Sequence, residues 1–259
     1  MNISKAKSLL FLSLLFLFQA CKNKEHDISN QEWISIFNGQ NLDGWTPKIK
    51  GETFGSDSLE TFKVEDGVLK VSYENYDDFE NRFGHLLYKT PYANYRLKLQ
   101  YRFVGQQARG GEAWAKKNSG IMIHSQNPKT IGLNQNFPNS LEVQLLGGIN
   151  DTVPRPTGNL CTPGTHVNID GKLITEHCTT ANAPTFYGEE WVEAEVEVYS
   201  DSLIRHYING KSVISYTKPI KDLPNDSLNH LQPLKSGYIS LQSESHPVEF
   251  KNIWIRVLD

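Results

Sequence analysis

Nine segments of this chain repeat at the period of a β-strand. No stretch of eleven or more residues repeats convincingly at the period of a helix. The nine are GVLKVSY (67–73), YRLKLQYRF (95–103), SGIMIHS (119–125), LEVQLLG (141–147), WVEAEVEVYS (191–200), LIRHYING (203–210), KSVISY (211–216), GYISLQSE (237–244) and VEFKNIWIRVL (248–258). Each alternates or runs apolar, and Gly, Pro and Asn punctuate the gaps. Asn209-Gly210 is the residue pair favoured in the type I′ turn of a hairpin. Short strands with one apolar face bury it against one another. The pattern therefore predicts an all-β chain, a β-sandwich or jelly roll. With 259 residues, 38% of them hydrophobic, the chain is long enough for one large domain, or at most two.

Two long stretches are not strands. Residues 105–118 (GQQARGGEAWAKKN) and 148–190, rich in Pro, Thr and Gly, interrupt the series. Connections of that length in a compact domain are usually functional or disordered. On one rim of a sandwich they wall a concave sheet into a cleft. The segment NSLEVQLLGG (139–148) poses the question directly. Leu141, Val143 and Leu145 share one face, and Glu142 and Gln144 share the other. That second face is either solvated or the floor of a site.

The N-terminus reads as a targeting segment. Lys5 and Lys7 precede the apolar run SLLFLSLLFLFQA, which is short for a membrane span and ends at Cys21. The run LFQAC resembles a bacterial lipobox. The expectation is a lipoprotein-type signal peptide over 1–20, a lipid anchor on Cys21 with a tether over 21–32, and a folded domain over 33–259. This places the protein in the bacterial cell envelope, lipid-anchored, on the periplasmic or outer-membrane face. An ordinary signal peptide is the alternative. In an exported protein the remaining cysteines, Cys161 and Cys178, are expected to pair as a disulfide. A metal site with His166 and His177 is the rival reading. The formal net charge of −3, without a basic patch, gives no footing for a nucleic-acid partner.

Seven motifs then recur in order: SIFNGQNLDGWT (35–46), FKVEDGVLKV (62–71), YANYRLKLQYRF (92–103), NSGIMIH (118–124), SLEVQLLG (140–147), IRHYING (204–210) and GYISLQSESHPVEFKNIWI (237–255). In that order, over nearly all of 33–258, the chain resembles the 3-keto-disaccharide hydrolase (DUF1080) domain family. The resemblance implies a concanavalin A-like jelly roll whose concave sheet binds sugar. It also implies an enzyme, hydrolase or lyase, that cleaves glycosides of glucose oxidised at C3. Sugar 3-oxidoreductases that supply the substrate are then functional partners. A non-catalytic carbohydrate-binding module on the same fold is the alternative, because fold does not dictate function.

A ketone at C3 acidifies the proton on C2. Cleavage by elimination needs a base at C2, a sink for enolate charge and a proton donor for the leaving oxygen. Glu142 is the expected base. His124, on the face of its strand shared with Gly120 and Met122, is the expected acid–base partner. Gln144 cannot ionise, which argues against the two-carboxylate double displacement of ordinary glycosidases. The candidate substrate ligands are Gln144, Asn118, Ser119, Arg155, Gln242, Glu244 and His206, with Trp114 as a stacking platform. Trp45 is a second candidate platform, and Trp33, Trp191 and Trp254 read as core. No cofactor is required by this chemistry. A divalent cation is an optional aid to the enolate.

Overall fold

The computed structural model describes residues 32–150, 152–222 and 232–259. The signal-peptide, Cys21 and tether expectations fall outside these residues, apart from Glu32. Seventeen strands run through the described residues: β1 (Ile34–Ser35), β2 (Trp45–Ile49), β3 (Phe62–Glu65), β4 (Val68–Val71), β5 (Gly84–Tyr88), β6 (Asn94–Phe103), β7 (Asn118–Ser125), β8 (Leu141–Leu146), β9 (Asn159–Cys161), β10 (Thr165–Ile169), β11 (Lys172–Ile174), β12 (Cys178–Thr179), β13 (Val192–Tyr199), β14 (Leu203–Ile208), β15 (Lys211–Lys221), β16 (Tyr238–Ser243) and β17 (Val248–Val257). Two single 3₁₀ turns, Ala113–Ala115 and Pro128–Thr130, interrupt them. All nine expected strands are present. The stretch 148–190 is richer than expected, because it contains β9 to β12.

The strands form two antiparallel sheets, and the chain is a jelly-roll sandwich. The larger sheet runs β11-β10-β15-β14-β13-β6-β17-β4-β3, with β1 on β17. The smaller runs β12-β9-β8-β7-β16-β5-β2. Leu97, Leu99 and Val196 of the larger sheet pack with Ile121, Val143 and Leu241 of the smaller in one core. Burial of such side chains is the dominant favourable term in folding. Asn209 and Gly210 both take positive φ, 47° and 74°, as a type I′ turn requires.

The outer faces of the two sheets differ. In β6, alternate residues are buried and half-exposed along its whole length. The outward side chains form an ordinary wet face of ion pairs, Arg96 with Glu195 and Arg102 with Glu249. Trp33 and Trp191 lie on this face rather than in the core. Lys98 sits 4.3 Å above the ring of Trp33, and Lys251 4.0 Å above that of Trp191. In β7, by contrast, all eight residues are buried. Both faces of a strand are hidden only where something covers the outer one. The smaller sheet is therefore roofed, and its outer face is the place to look for chemistry.

Cys161 and Cys178 are neighbours across β9 and β12 and are joined by a disulfide that closes a 17-residue separation. The metal reading of this pair is replaced, and His166 instead lies 3.4 Å from Asp222. Closing such a loop contributes about 3 kcal/mol in the chain-entropy model. Cys178→Ala is therefore expected to lower Tm by about 6–12 °C, measured by thermal unfolding. An unchanged Tm would contradict this.

Candidate active site

Register fixes which side chains share the roofed face. Met122 pairs with Glu142 and Gly120 with Gln144 across β7 and β8, Ser240 pairs with Met122 across β16 and β7, and Gln242 pairs with His85 across β16 and β5. The floor therefore carries Glu142, Gln144 and Gln242, with Glu244 next in the same alternation. Asn118 closes one end.

A cleft of about 360 Å³ opens over this floor. Its polar lining is Asn118, Glu142, Gln144 and Glu244, and His177 stands on the rim. Phe137 and Trp114 form one wall, and the Cys161–Cys178 disulfide with Pro163 forms the other. Trp114 is half-exposed, and its ring stacks on Phe83 at 6.0 Å. Phe83 in turn meets Phe137 at 4.9 Å. A polar floor between aromatic and apolar walls suits a pyranose, which offers hydroxyls at its edge and an apolar face to a ring.

Glu142 is 6% exposed, and its Oε1 has no hydrogen-bond partner. Its side chain lies across Gly120. A Cβ built there would sit 2.6 Å from Glu142 Oε1 and 2.7 Å from its Cγ. Burial pushes the Glu142 carboxyl up to about 8. Glu244 is also buried, with Oε2 unpartnered. Its carboxyl is raised well above the usual range by burial and then by the charge of Glu142, against an opposing pull from Arg155. Gln144 is held by its neighbour, since Asn159 Nδ2 donates to Gln144 Oε1 at 3.0 Å.

Several expected site residues lie elsewhere. His124 is not beside Glu142. Its φ of 48° breaks the strand alternation, and its Nε2 lies 3.0 Å from the Ser200 carbonyl, just past β13 of the other sheet. The acid–base expectation for His124 is corrected on this ground. His206 is fully buried, with Nδ1 2.9 Å from the Gly158 carbonyl and Nε2 2.9 Å from the Tyr216 hydroxyl. It is an interior residue and not a sugar ligand. Ser119 pairs with Leu145 on the core face and donates to the Gln242 carbonyl. Gln242 is on the floor, buried, with Oε1 unpartnered. Trp45 is buried and donates to the Ile36 carbonyl, so it is no platform.

Arg155 is spent on the backbone. Its Nη1 donates to the carbonyls of Lys116, Lys117 and Gly147 at 2.6, 2.8 and 2.9 Å, and its Nη2 to that of Trp114 at 2.9 Å. Four of its hydrogen bonds go to carbonyls, so it is not aimed at an enolate, although its charge still reaches Glu244. It ties the loop that carries Trp114 to the end of β8. Arg155→Met should cost about 1–3 kcal/mol through the carbonyls left unpaired. Thermal unfolding is expected to show that loss, and sugar-binding titrations a weakened affinity from a displaced Trp114. An unaltered affinity would show that the clamp does not position the wall.

The sequence reading missed Phe137 and His85, and it raised His177 only as part of the rival metal site. Phe137 sits in 126–138, a stretch with no strand pattern, and supplies a wall. His85 pairs with Lys48 and Gln242 in β5, and its ring meets Phe137 edge-on at 6.1 Å. Burial and then the Lys48 charge lower it to about 3, so it is neutral. Strand β5 reads GHLLY, too short for alternation to reveal its outward histidine. Among the described residues no three His, Cys, Asp or Glu side chains gather as a metal-ligand set.

A second concavity of about 360 Å³ lies at the edge of the larger sheet, lined by Lys63, Lys70 and Glu249 among others. Its charges are already paired. Lys63 meets Glu65 and Glu74, Lys70 meets Glu65, and Glu249 meets Arg102.

A family profile described as a 3-keto-alpha-glucoside-1,2-lyase-like domain matches residues 32–256. Two solved structures from Parabacteroides distasonis ATCC 8503, each provisionally named a glycosyl hydrolase, share the fold. One is 21% identical with a TM-score of 0.52, covering 88% of this chain and 94% of that one. The other is 20% identical with a TM-score of 0.53, covering 88% and 100%. The Crh5 transglycosylase, solved with NAG, is 8% identical with a TM-score of 0.50, covering 89% and 84%. At these identities the likeness is one of fold. No curated protein sequence matches the chain.

Proposed function

The chain belongs to the 3-keto-alpha-glucoside-1,2-lyase-like domain family, and from that premise we propose that it cleaves glycosides whose sugar carries a ketone at C3. The observation that carries this reading is the Glu142 carboxyl, buried on the cleft floor with an unpartnered oxygen and room made for it by Gly120. A proton α to a ketone is acidic enough for a carboxylate whose affinity for protons has been raised by burial. Glu142 is the base at C2. Asn118, Gln144 and Gln242 supply polar contacts to the sugar hydroxyls, and Trp114 with Phe137 covers its apolar face.

Gln144 is amide-paired and cannot act as a nucleophile, so double displacement from this strand has no second carboxylate two residues on. The reaction proposed here uses no cofactor, and a divalent cation is an optional aid to enolate charge. Export, anchoring through Cys21 and supply of substrate by a sugar 3-oxidoreductase belong to the same proposal.

The test is aglycone release by the purified protein from a 3-keto-β-glucoside and from the unoxidised parent, with and without chelator. Release from the oxidised substrate alone is expected. Binding of either sugar without release of aglycone would make the cleft a lectin-like groove. Loss of activity with chelator would add a metal to the mechanism.

A further inference from the structure

We propose that Glu244 is a second catalytic residue, the acid that protonates the glycosidic oxygen, and that it and Glu142 work as one acid–base pair whose protonated member alternates within each turnover. This rests on the reading of the cleft as a 3-keto-glycoside site.

The two carboxyls come from different strands and converge. Glu142 lies on β8, and Glu244 lies one residue beyond β16, with β7 between them. The one position of β7 that Glu142 reaches over is Gly120, so no side chain stands there. Both carboxyls line the same cleft, and each buries an oxygen that has no partner. Among the described residues neither has an ion-pair partner. The nearby cation, Arg155, gives its N–H groups to four carbonyls. Two like charges on one buried floor oppose each other's ionisation, and the charge of Arg155 offsets this only in part and only at Glu244. The pair therefore titrates as a unit: Glu142 gives up its proton as pH rises through about 8, and Glu244, raised further by that charge, keeps its own. A carboxylate beside a carboxylic acid is the acid–base set that elimination needs.

The steps balance. Glu142 carboxylate takes the C2 proton, and the C2–H electron pair becomes the enolate of the C3 ketone. The enolate collapses to a C1=C2 double bond. The C1–O bond breaks, its electron pair stays on the glycosidic oxygen, and that oxygen takes the proton of Glu244. Glu142 is now protonated and Glu244 ionised, which is the reverse of the starting state. That state suits hydration. Glu244 carboxylate takes a proton from water adding at C1, and Glu142, whose acidic proton exchanges with solvent as the aglycone leaves, delivers a solvent-derived proton to C2. The product is then the free 3-keto-sugar, and the pair is reset. If the unsaturated sugar leaves first, the pair is reset by exchange with solvent, and the outcome is that of a lyase.

The test compares wild type with Glu244→Gln on 3-keto-β-glucosides with good (nitrophenyl) and poor (methyl) leaving groups. It also follows exchange of the C2 proton with deuterated water. Glu244→Gln should slow release of methanol about 100-fold or more, change release of nitrophenol only a few-fold and retain C2 exchange. Equal loss on both substrates, or loss of exchange, overturns the assignment and makes Glu244 structural. Full retention on the methyl glycoside overturns it too. A wild type that neither exchanges nor cleaves overturns this assignment together with the reading it rests on. Infrared spectra of the wild type serve independently of any variant. The carbonyl stretch of a protonated carboxylic acid is expected at neutral pH, and its absence overturns Glu244 as the acid.

Discussion

Glu142→Gln is expected to reduce cleavage of a 3-keto-glucoside by about 10²–10⁴-fold in kcat, the usual worth of a positioned general base, while making the protein more stable above neutral pH. The two effects have one cause. The carboxyl is held at about 8 because burial disfavours its charged form. In the unfolded chain the same group ionises near the ordinary glutamate value. Between those two values the folded state binds more protons than the unfolded state, so stability falls as pH rises through this window. Glutamine keeps the shape and removes the titration. The variant should match wild type near pH 5. It should exceed it at pH 8–9, and each kcal/mol gained reads as about 2–4 °C in Tm. Stability that rises when a site residue is neutralised is the usual trade-off at a strained site. Loss of activity with an unchanged alkaline profile would mean that Glu142 is ionised in the resting protein and that burial does not tune it. Retained activity would remove it as the base.

Gly120→Ala is expected to cost about 100-fold in kcat with little loss of stability. The added Cβ would fall 2.6 Å from Glu142 Oε1, and the flexible end of Glu142 would have to swing aside. Displacing a reacting group by about 1 Å costs on the order of 10² in rate. The backbone of Gly120 has no positive φ, so alanine brings no conformational strain. The double variant with Glu142→Gln should be no slower than Glu142→Gln alone, because both remove one function. Additive losses would show that Gly120 matters for another reason, such as direct approach of the sugar.

The acid arm of the stability profile has a different origin. His85 and His206 are lowered to about 3 and about 4 by burial. The unfolded chain takes up protons at these residues first, so stability is lost as pH falls below the ordinary histidine range. Stability is therefore squeezed from both sides by buried groups, and the site supplies the alkaline side.

How much of this was legible in the sequence depends on what periodicity can report. Alternation in YRLKLQYRF matches a strand with one buried and one half-exposed face, whereas in WVEAEVEVYS the outward Glu195 and Glu197 are buried beneath their ion pairs with Arg96 and Arg205. Alternation in LEVQLLG separated Leu141, Val143 and Leu145 from Glu142 and Gln144, and the first three are core. It could not tell whether the second face was solvated, because the cover comes from segments distant in the chain. Phe137, Trp114 and the Cys161–Cys178 bridge close over Glu142 from three separate stretches. Parity also fails wherever the backbone leaves the strand region. His124 takes a left-handed φ, and a count of odd and even positions assigned it to the wrong face. Arg155 shows a further limit, since charge is visible in a sequence but its prior commitment to four carbonyls is not. Short strands such as NLC and GHLLY are below the length at which a pattern can be read.

The central claim is that the bond breaks through loss of the C2 proton. The most direct measurement follows the C2 hydrogen of a 3-keto-β-glucoside into product by NMR in deuterated water, with an enzyme-free control. The account predicts that the original hydrogen is gone, replaced by deuterium in the hydrated sugar or absent from the unsaturated one. A product that keeps its C2 hydrogen would mean direct displacement at C1, and Glu142 would not be the base described here.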